Sequence, residues 1–253
     1  MAAAGIVAGG SGQRMGTELP KQFIELAGKP VIIRTVEAFA LHPDIECVII
    51  GINPDWYDYT QKLVKQYSLS KNVYITNGGK DRNDTIMNII SFAKKELSKD
   101  DSEIILTHDA VRPFVSSKMI NDSIDAMKKY HICTTAIPAT DTIIISEDGE
   151  FASNFPARKN MYQVQTPQTF RIGDFEKVYM GLSTQEKEEI TENICTFAKN
   201  LNIRNNEKTK YEDKHDSEDG HHGRGSTDRG IVQPKEIQRG RKHHGGARLH
   251  ALF

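Results

Sequence analysis

The residues best suited to chemistry come early in the chain. Between Gly5 and Phe23 it reads GIVAGGSGQRMGTELPKQF. Glycines let a backbone approach a phosphate closely and aim successive N–H groups at it. Gly9, Gly10, Gly12 and Gly16 follow the apolar run Ala3–Ala8, with Arg14 inside the loop and Lys21 just beyond it in Leu19-Pro20-Lys21-Gln22. The spacing is not G-x-x-x-x-G-K-[ST], because no lysine follows the second glycine of such a frame. Nor is it G-x-G-x-x-G, because three residues separate Gly12 from Gly16. Two cations flanking a phosphate cradle would neutralise the charge that builds on a phosphorus under attack. A bare glycine-rich turn with solvated cations would mean little. A buried strand, Arg14 and the Pro-Lys-Gln segment together favour phosphoryl chemistry.

Such a loop needs a scaffold that delivers strand ends to one place. Ala3–Ala8, Glu46–Ile52, Asn72–Thr76 and Glu103–Thr107 read as buried strands. Val31–Leu41, Trp56–Tyr67, Asp84–Leu97 and Ser117–Tyr130 read as helices, with Ile86, Ile89, Ile90 and Ala93 at helical spacing in the third. Thr134–Ile137 and Thr142–Ser146 read as further strands, and Glu147–Gly149 as a turn. Strands alternating with helices predict an α/β fold with a mostly parallel sheet covered on both faces. Ligands then sit at the carboxyl ends of the strands.

The bulk properties exclude several classes. A formal net charge of -1 over 253 residues argues against a nucleic-acid binder. No apolar run approaches the roughly 20 residues of a membrane span. The start MAAAGIVAGG lacks the pattern of a signal peptide. Cys47, Cys133 and Cys195 are isolated and read as reduced thiols of a cytoplasmic protein.

Three more motifs follow in order: Gly78-Gly79-Lys80-Asp81-Arg82-Asn83-Asp84-Thr85, Thr107-His108-Asp109-Ala110-Val111-Arg112-Pro113-Phe114, and Tyr162-Gln163-Val164-Gln165-Thr166-Pro167-Gln168-Thr169-Phe170. With AGGSGQRMG and LPKQF, they resemble the signature of the cytidylyltransferases that act on polyol and methylerythritol phosphates. Within that group the wording is more similar to the ribitol-5-phosphate enzymes. The methylerythritol-phosphate enzymes of isoprenoid synthesis stand as the alternative. The resemblance implies a Rossmann-like three-layer sandwich of the nucleotide-diphospho-sugar transferase type with a β-arm at about residues 138–160.

The resemblance also implies roles. CTP and D-ribitol 5-phosphate would give CDP-ribitol and pyrophosphate, for teichoic acid or other cell-wall polymer synthesis. Arg14, Lys21 and Arg158 would be catalytic, and Val7, Ala8, Gly9 and Gly10 would hold the nucleotide. Gly79, Lys80, Asp81, Arg82, Asn83, Asp84 and Thr85 would complete the CTP site. Backbone groups at Gly79 and Lys80, with the Thr85 hydroxyl, would meet the cytosine edge. For Asp81–Thr85 the competing reading is a helix N-cap. Arg112, Asp141, Thr142 and Thr166 would contact the acceptor, Thr166 from a turn at Gln165–Gln168. Asp109 would hold Mg²⁺, which needs only one or two carboxylates beside phosphate oxygens. Its competing reading is an ion pair with Arg112. His108 reads as structural. The arm implies a homodimer, with Arg158 offered to the partner's site.

The match fails beyond Thr191, where Glu192 and Asn193 follow and nothing downstream fits. Residues 200–253 read as an atypical, disordered polar tail appended to a catalytic domain at 1–199. Six of the nine histidines lie there, in HHGRG and KHHGG among others. Either the tail replaces a core strand and helix, lowering stability and activity, or it is an extension with a weak metal or nucleic-acid role. A chain that binds CTP without turnover is the corresponding second class of function.

Overall fold

The computed structural model describes residues 1–9, 19–69, 72–189 and 248–252. The chain opens with β1 (Ala2–Ala8), a 3₁₀ turn at Lys21–Phe23, the short hairpin of β2 (Glu25–Leu26) and β3 (Lys29–Pro30), and α1 (Val31–Ala40). Then come β4 (Ile45–Ile52), α2 (Tyr57–Gln66), β5 (Val73–Asn77), α3 (Arg82–Glu96), β6 (Ile104–Asp109), α4 (Ser117–Ala126) and β7 (Ile132–Pro138). β8 (Tyr162–Arg171), α5 (Ile172–Met180), α6 (Thr184–Glu189) and β9 (Arg248–Leu252) complete the elements.

Seven strands form one sheet in the order β5-β4-β1-β6-β8-β7-β9. β5, β4, β1 and β6 are parallel neighbours. β8 runs against both β6 and β7, so β7 shares the direction of the first four. The sheet is mostly parallel, as the continuous apolar strands predict.

Alternation along the strands splits the core into two layers. Ala2, Ala4, Ile6, Val48, Ile50 and Leu106 face α1, α2 and α4, meeting Ile32, Val36, Phe39, Leu63, Val64 and Ile120. Ala3, Cys47, Ile49 and Ile105 face the opposite way, onto Ile86, Ile89, Ile90 and Ala93 of α3 and Phe175 of α5. This is the three-layer sandwich expected. At roughly 25 cal/mol per Å² of buried apolar surface, these two layers supply the main drive for folding.

The structure corrects several expectations. Thr142–Ser146 is not a regular strand; a single bridge joins Ile145 to Asn154 in an otherwise open arm. Its side chains are too exposed to gain by pairing within a sheet, with Ile144 at 54% and Phe151 at 73%. The Gln165–Gln168 segment is not a turn but lies inside β8, where Phe170 and Thr169 are buried and hold it in the sheet. The helices α5 and α6 were not foreseen. The tail is not without structure at its end: Arg248–Leu252 pairs antiparallel with β7, from Ile132↔Leu252 to Ala136↔Arg248. β7 would otherwise be an edge, with a row of unpaired N–H and C=O groups that attracts an extended segment. Residues 190–247, with Thr191, Cys195 and both histidine pairs, lie outside the described residues.

Candidate active site

Register brings the strand ends level. Asn77 pairs with Ile52, Ile52 with Ala8, and Val7 with Asp109. From β1 the chain leads to β4 on one side and to β6 on the other. The order therefore reverses between β1 and β6, and sheets of this kind take their ligands in the crevice at the carboxyl ends of the strands there.

Three segments line that crevice. The first follows β1: Val7, Ala8 and Gly9 are described, whereas Gly10 and Arg14 fall outside the described residues. The Lys21 segment is tied to it, because the buried Gln22 donates its side-chain amide to the Ala8 carbonyl at 3.4 Å. Phe23 fixes the same turn from below, with its ring 5.1 Å from Trp56 and 4.9 Å from Tyr59. Lys21 itself is exposed.

The second is the loop from Gly78 into α3. Asp81 caps the helix, its side chain accepting from the Asp84 N–H at 2.8 Å. The Thr85 hydroxyl donates to the Asp81 carbonyl at 2.8 Å and accepts from the Gly79 N–H at 3.0 Å. It is fully buried. Both groups that the resemblance places at a base edge, the Thr85 hydroxyl and the Gly79 N–H, are engaged in shaping the loop. The loop also crowds β1. A Cβ on Gly9 would lie 2.6 Å from the Thr85 hydroxyl, and one on Gly79 would lie 2.2 Å from the Asp84 Cβ. Lys80 is exposed, 3.9 Å from Asp84, and Asp84 also accepts from the Tyr179 hydroxyl at 2.9 Å. Asn83 is buried.

The third is the end of β6 with β8 beside it. Asp109 Oδ2 accepts from Arg112 Nε at 2.8 Å, and Oδ1 lies 3.5 Å from Arg82 Nε. The Arg112 pairing considered from sequence is thus formed, joined by an unforeseen second arginine. Arg82 Nη1 donates to Gln168 Oε1 at 3.1 Å, and Arg112 Nη1 donates to Gln165 Oε1. Thr166 is buried beneath them, its hydroxyl 3.4 Å from the Asp109 N–H. Burial works against charge on Asp109. The Arg82 guanidinium and the Arg112 hydrogen bond outweigh it and hold the carboxyl below its ordinary value. His108 points the other way, against Phe39, with Nε2 2.9 Å from the Arg112 carbonyl. Burial pushes its pKa down to about 4, so it stays neutral at pH 7 and serves as a prop.

Arg158, Asp141 and Thr142 are exposed and sit at the root of the arm, where Arg158 Nη1 donates to the Thr140 carbonyl at 3.1 Å. The structure places them on the arm and not on the strand ends that carry Asp109. Gln22, Gln165, Gln168 and Tyr179 were missed as site residues. The first three stood inside quoted motifs, but their partners are distant in sequence.

Comparison with known proteins points the same way as the geometry. The family model IspD, 2-C-methyl-D-erythritol 4-phosphate cytidylyltransferase, matches residues 2–199. A ribitol-5-phosphate cytidylyltransferase of Streptococcus pneumoniae serotype 2 is 43% identical over 197 residues, covering 77% of this chain and 84% of that protein. Its serotype 4 counterpart matches to the same extent. Among solved structures, 4-diphosphocytidyl-2C-methyl-D-erythritol synthase from Anaerococcus prevotii superposes with a TM-score of 0.64 at 25% identity, covering 78% of this chain and 82% of that one. The Francisella tularensis 2-C-methyl-D-erythritol 4-phosphate cytidylyltransferase shares the fold, with a TM-score of 0.63 at 22% identity over 78% of this chain and 85% of its own.

Proposed function

This chain belongs to the IspD family of cytidylyltransferases, and from that premise we propose that it joins CTP to D-ribitol 5-phosphate, giving CDP-ribitol and pyrophosphate. The observation that carries the acceptor is the 43% identity to proteins named for ribitol 5-phosphate, against 25% or less for the methylerythritol structures. A phosphate oxygen of the acceptor attacks the α-phosphorus of CTP in line. The bond from that phosphorus to the bridging oxygen breaks, and the electron pair leaves with pyrophosphate. No covalent enzyme intermediate is needed, so positioning and charge stabilisation do the work.

Val7–Gly10 would cradle the nucleotide, and Arg14 and Lys21 would stabilise the charge at the α-phosphorus. The loop at Gly79–Thr85 would hold the base through its remaining backbone groups. Arg112 would meet the acceptor phosphate. Asp141, Thr142 and Arg158 would reach an acceptor from the arm of a second copy; the exposed Ile144, Ile145, Phe151 and Phe155 on that arm support such a homodimer. Asp109 fits Mg²⁺: it is one ionised carboxylate at a strand end, 28% exposed, where substrate phosphates can supply the other ligands. The cation would screen the phosphate charge. Product use in teichoic acid synthesis and a cytoplasmic location complete the reading.

The test is pyrophosphate release from CTP with ribitol 5-phosphate and, separately, with methylerythritol 4-phosphate. Turnover should need the first. Arg14→Ala and Lys21→Ala should each cut kcat about 100-fold or more. Variants that match the parent would sink the catalytic assignment, and preference for methylerythritol 4-phosphate would sink the acceptor.

A further inference from the structure

Asp109 sits between two arginines, and each arginine is held from behind by a glutamine of the same strand. Gln168 accepts from Arg82 at 3.1 Å and Gln165 accepts from Arg112. In a regular strand, residues three apart face opposite sides of the sheet. Here they serve one site because β8 bulges. Two steps along β7, from Thr134 to Ala136, are matched by four along β8, from Gln168 to Val164. The bulge is fastened by hydroxyls that donate to it: Thr134 to the Gln165 carbonyl at 3.3 Å and Thr135 to the Pro167 carbonyl at 3.3 Å.

The chemistry of the brace matters. A glutamine amide accepts a hydrogen bond without cancelling the guanidinium charge, whereas a glutamate of the same shape would cancel it. Arg82 also keeps a donor in reserve. Its Nη2 is buried and has no partner among the described residues. A buried, unpaired guanidinium nitrogen beside a crevice is costly unless an anion completes it.

We propose that Gln165 and Gln168 are positioning residues that aim Arg112 and Arg82 at phosphoryl oxygens, Arg112 at the acceptor phosphate and Arg82 at the nucleotide phosphates, while leaving both charges intact. This rests on the cytidylyltransferase reading above.

The experiment compares parent, Gln165→Glu, Gln165→Met, Gln168→Glu and Gln168→Met by thermal melting, steady-state kinetics, and calorimetric CTP binding without metal. A merely structural glutamine would tolerate glutamate well, because the new ion pair with arginine keeps the bulge closed. Positioning predicts that stability and activity part company. The glutamate variants melt at or above the parent yet are worse enzymes than the methionine variants. Gln165→Glu should raise KM for ribitol 5-phosphate, and Gln168→Glu should raise KM for CTP and weaken metal-free CTP binding, each by about tenfold or more. Glutamate variants with parental KM values and CTP affinity overturn the proposal. Gln168 is 1% exposed; should its variants fail to fold, the more exposed Gln165 pair decides. A parent that binds CTP but turns over no acceptor sinks the functional reading alone, since metal-free affinity in Gln168→Glu still decides the positioning. A parent that binds no CTP overturns both.

Discussion

The Gly79 N–H donates to the Thr85 hydroxyl at 3.0 Å, closing the loop between β5 and α3 on its own helix. The same hydroxyl donates to the Asp81 carbonyl, so one buried oxygen sets the backbone on both sides of the cap. Thr85→Val keeps the shape and removes both bonds. It should cost about 1 kcal/mol or more of stability, since it leaves a half-buried N–H unpaired. It should also raise KM for CTP, whereas Thr85→Ser should stay near the parent. Urea unfolding with CTP kinetics measures both, and a valine variant with parental stability would contradict the role.

The contact between β1 and that loop is equally tight. Gly9→Ala would bring a methyl to within 2.6 Å of the Thr85 hydroxyl. Overpacking of this kind costs about 1–3 kcal/mol. Because the strain falls on the crevice, the expected loss is in CTP affinity first and melting temperature second. Gly28→Ala is the control. A Cβ there meets nothing within 4 Å, although its φ of +71° adds backbone strain, so any loss should be in stability alone.

The two described cysteines predict an alkaline limit. Burial lifts the Cys47 thiol from 9.0 to about 11 and the Cys133 thiol from 9.0 to about 12. Each folded pKa lies above its unfolded value, so the contribution is complete below pH 9. It declines as pH rises from 9 toward 11 or 12, by about 1.4 kcal/mol per pH unit for each thiol. Urea titrations at pH 8, 9 and 10 should show the slope, and Cys133→Ala should flatten it. At pH 8 a thiol reagent should leave both groups unmodified until the protein unfolds.

Strand β9 gives a fourth expectation. Removing residues 248–253 uncovers the outer edge of β7. Amides of Ile132–Ala136 that bond to β9 should then exchange faster. The melting temperature should fall by several degrees, as the loss of a few hydrogen bonds of about 1 kcal/mol each requires. Unchanged exchange along β7 would show that β9 contributes nothing in solution.

Much of this molecule was legible before any coordinates. Apolar runs such as Glu46–Ile52 announce strands because a parallel strand buries both faces. Ile86, Ile89, Ile90 and Ala93 announce α3 because 3.6-residue spacing leaves one apolar stripe. A cap within Asp81–Thr85 places its start at Asp84; with Asp81 as the cap the helix begins two residues earlier, at Arg82. Misreadings arose where local chemistry and tertiary context disagree. Pro167 argued for a turn, yet the Thr134 and Thr135 hydroxyls donate to the bulge around it and keep it in the sheet. Arg248–Leu252 carries little pattern of its own and pairs because β7 offers an edge.

Sequence alone supplies the expectation of a glycine loop with Arg14 and Lys21, of a cap within Asp81–Thr85 and of a carboxylate at the end of β6, because each reads from neighbours within a few residues. Only the tertiary structure decided what surrounds Asp109 beyond its neighbour Arg112. Arg82 and Gln168 are 86 residues apart, Arg112 and Gln165 are 53 apart, and Gln22 reaches Ala8 across the loop. The two arginine–glutamine pairings follow from sheet order and a bulge in β8, which no local pattern encodes.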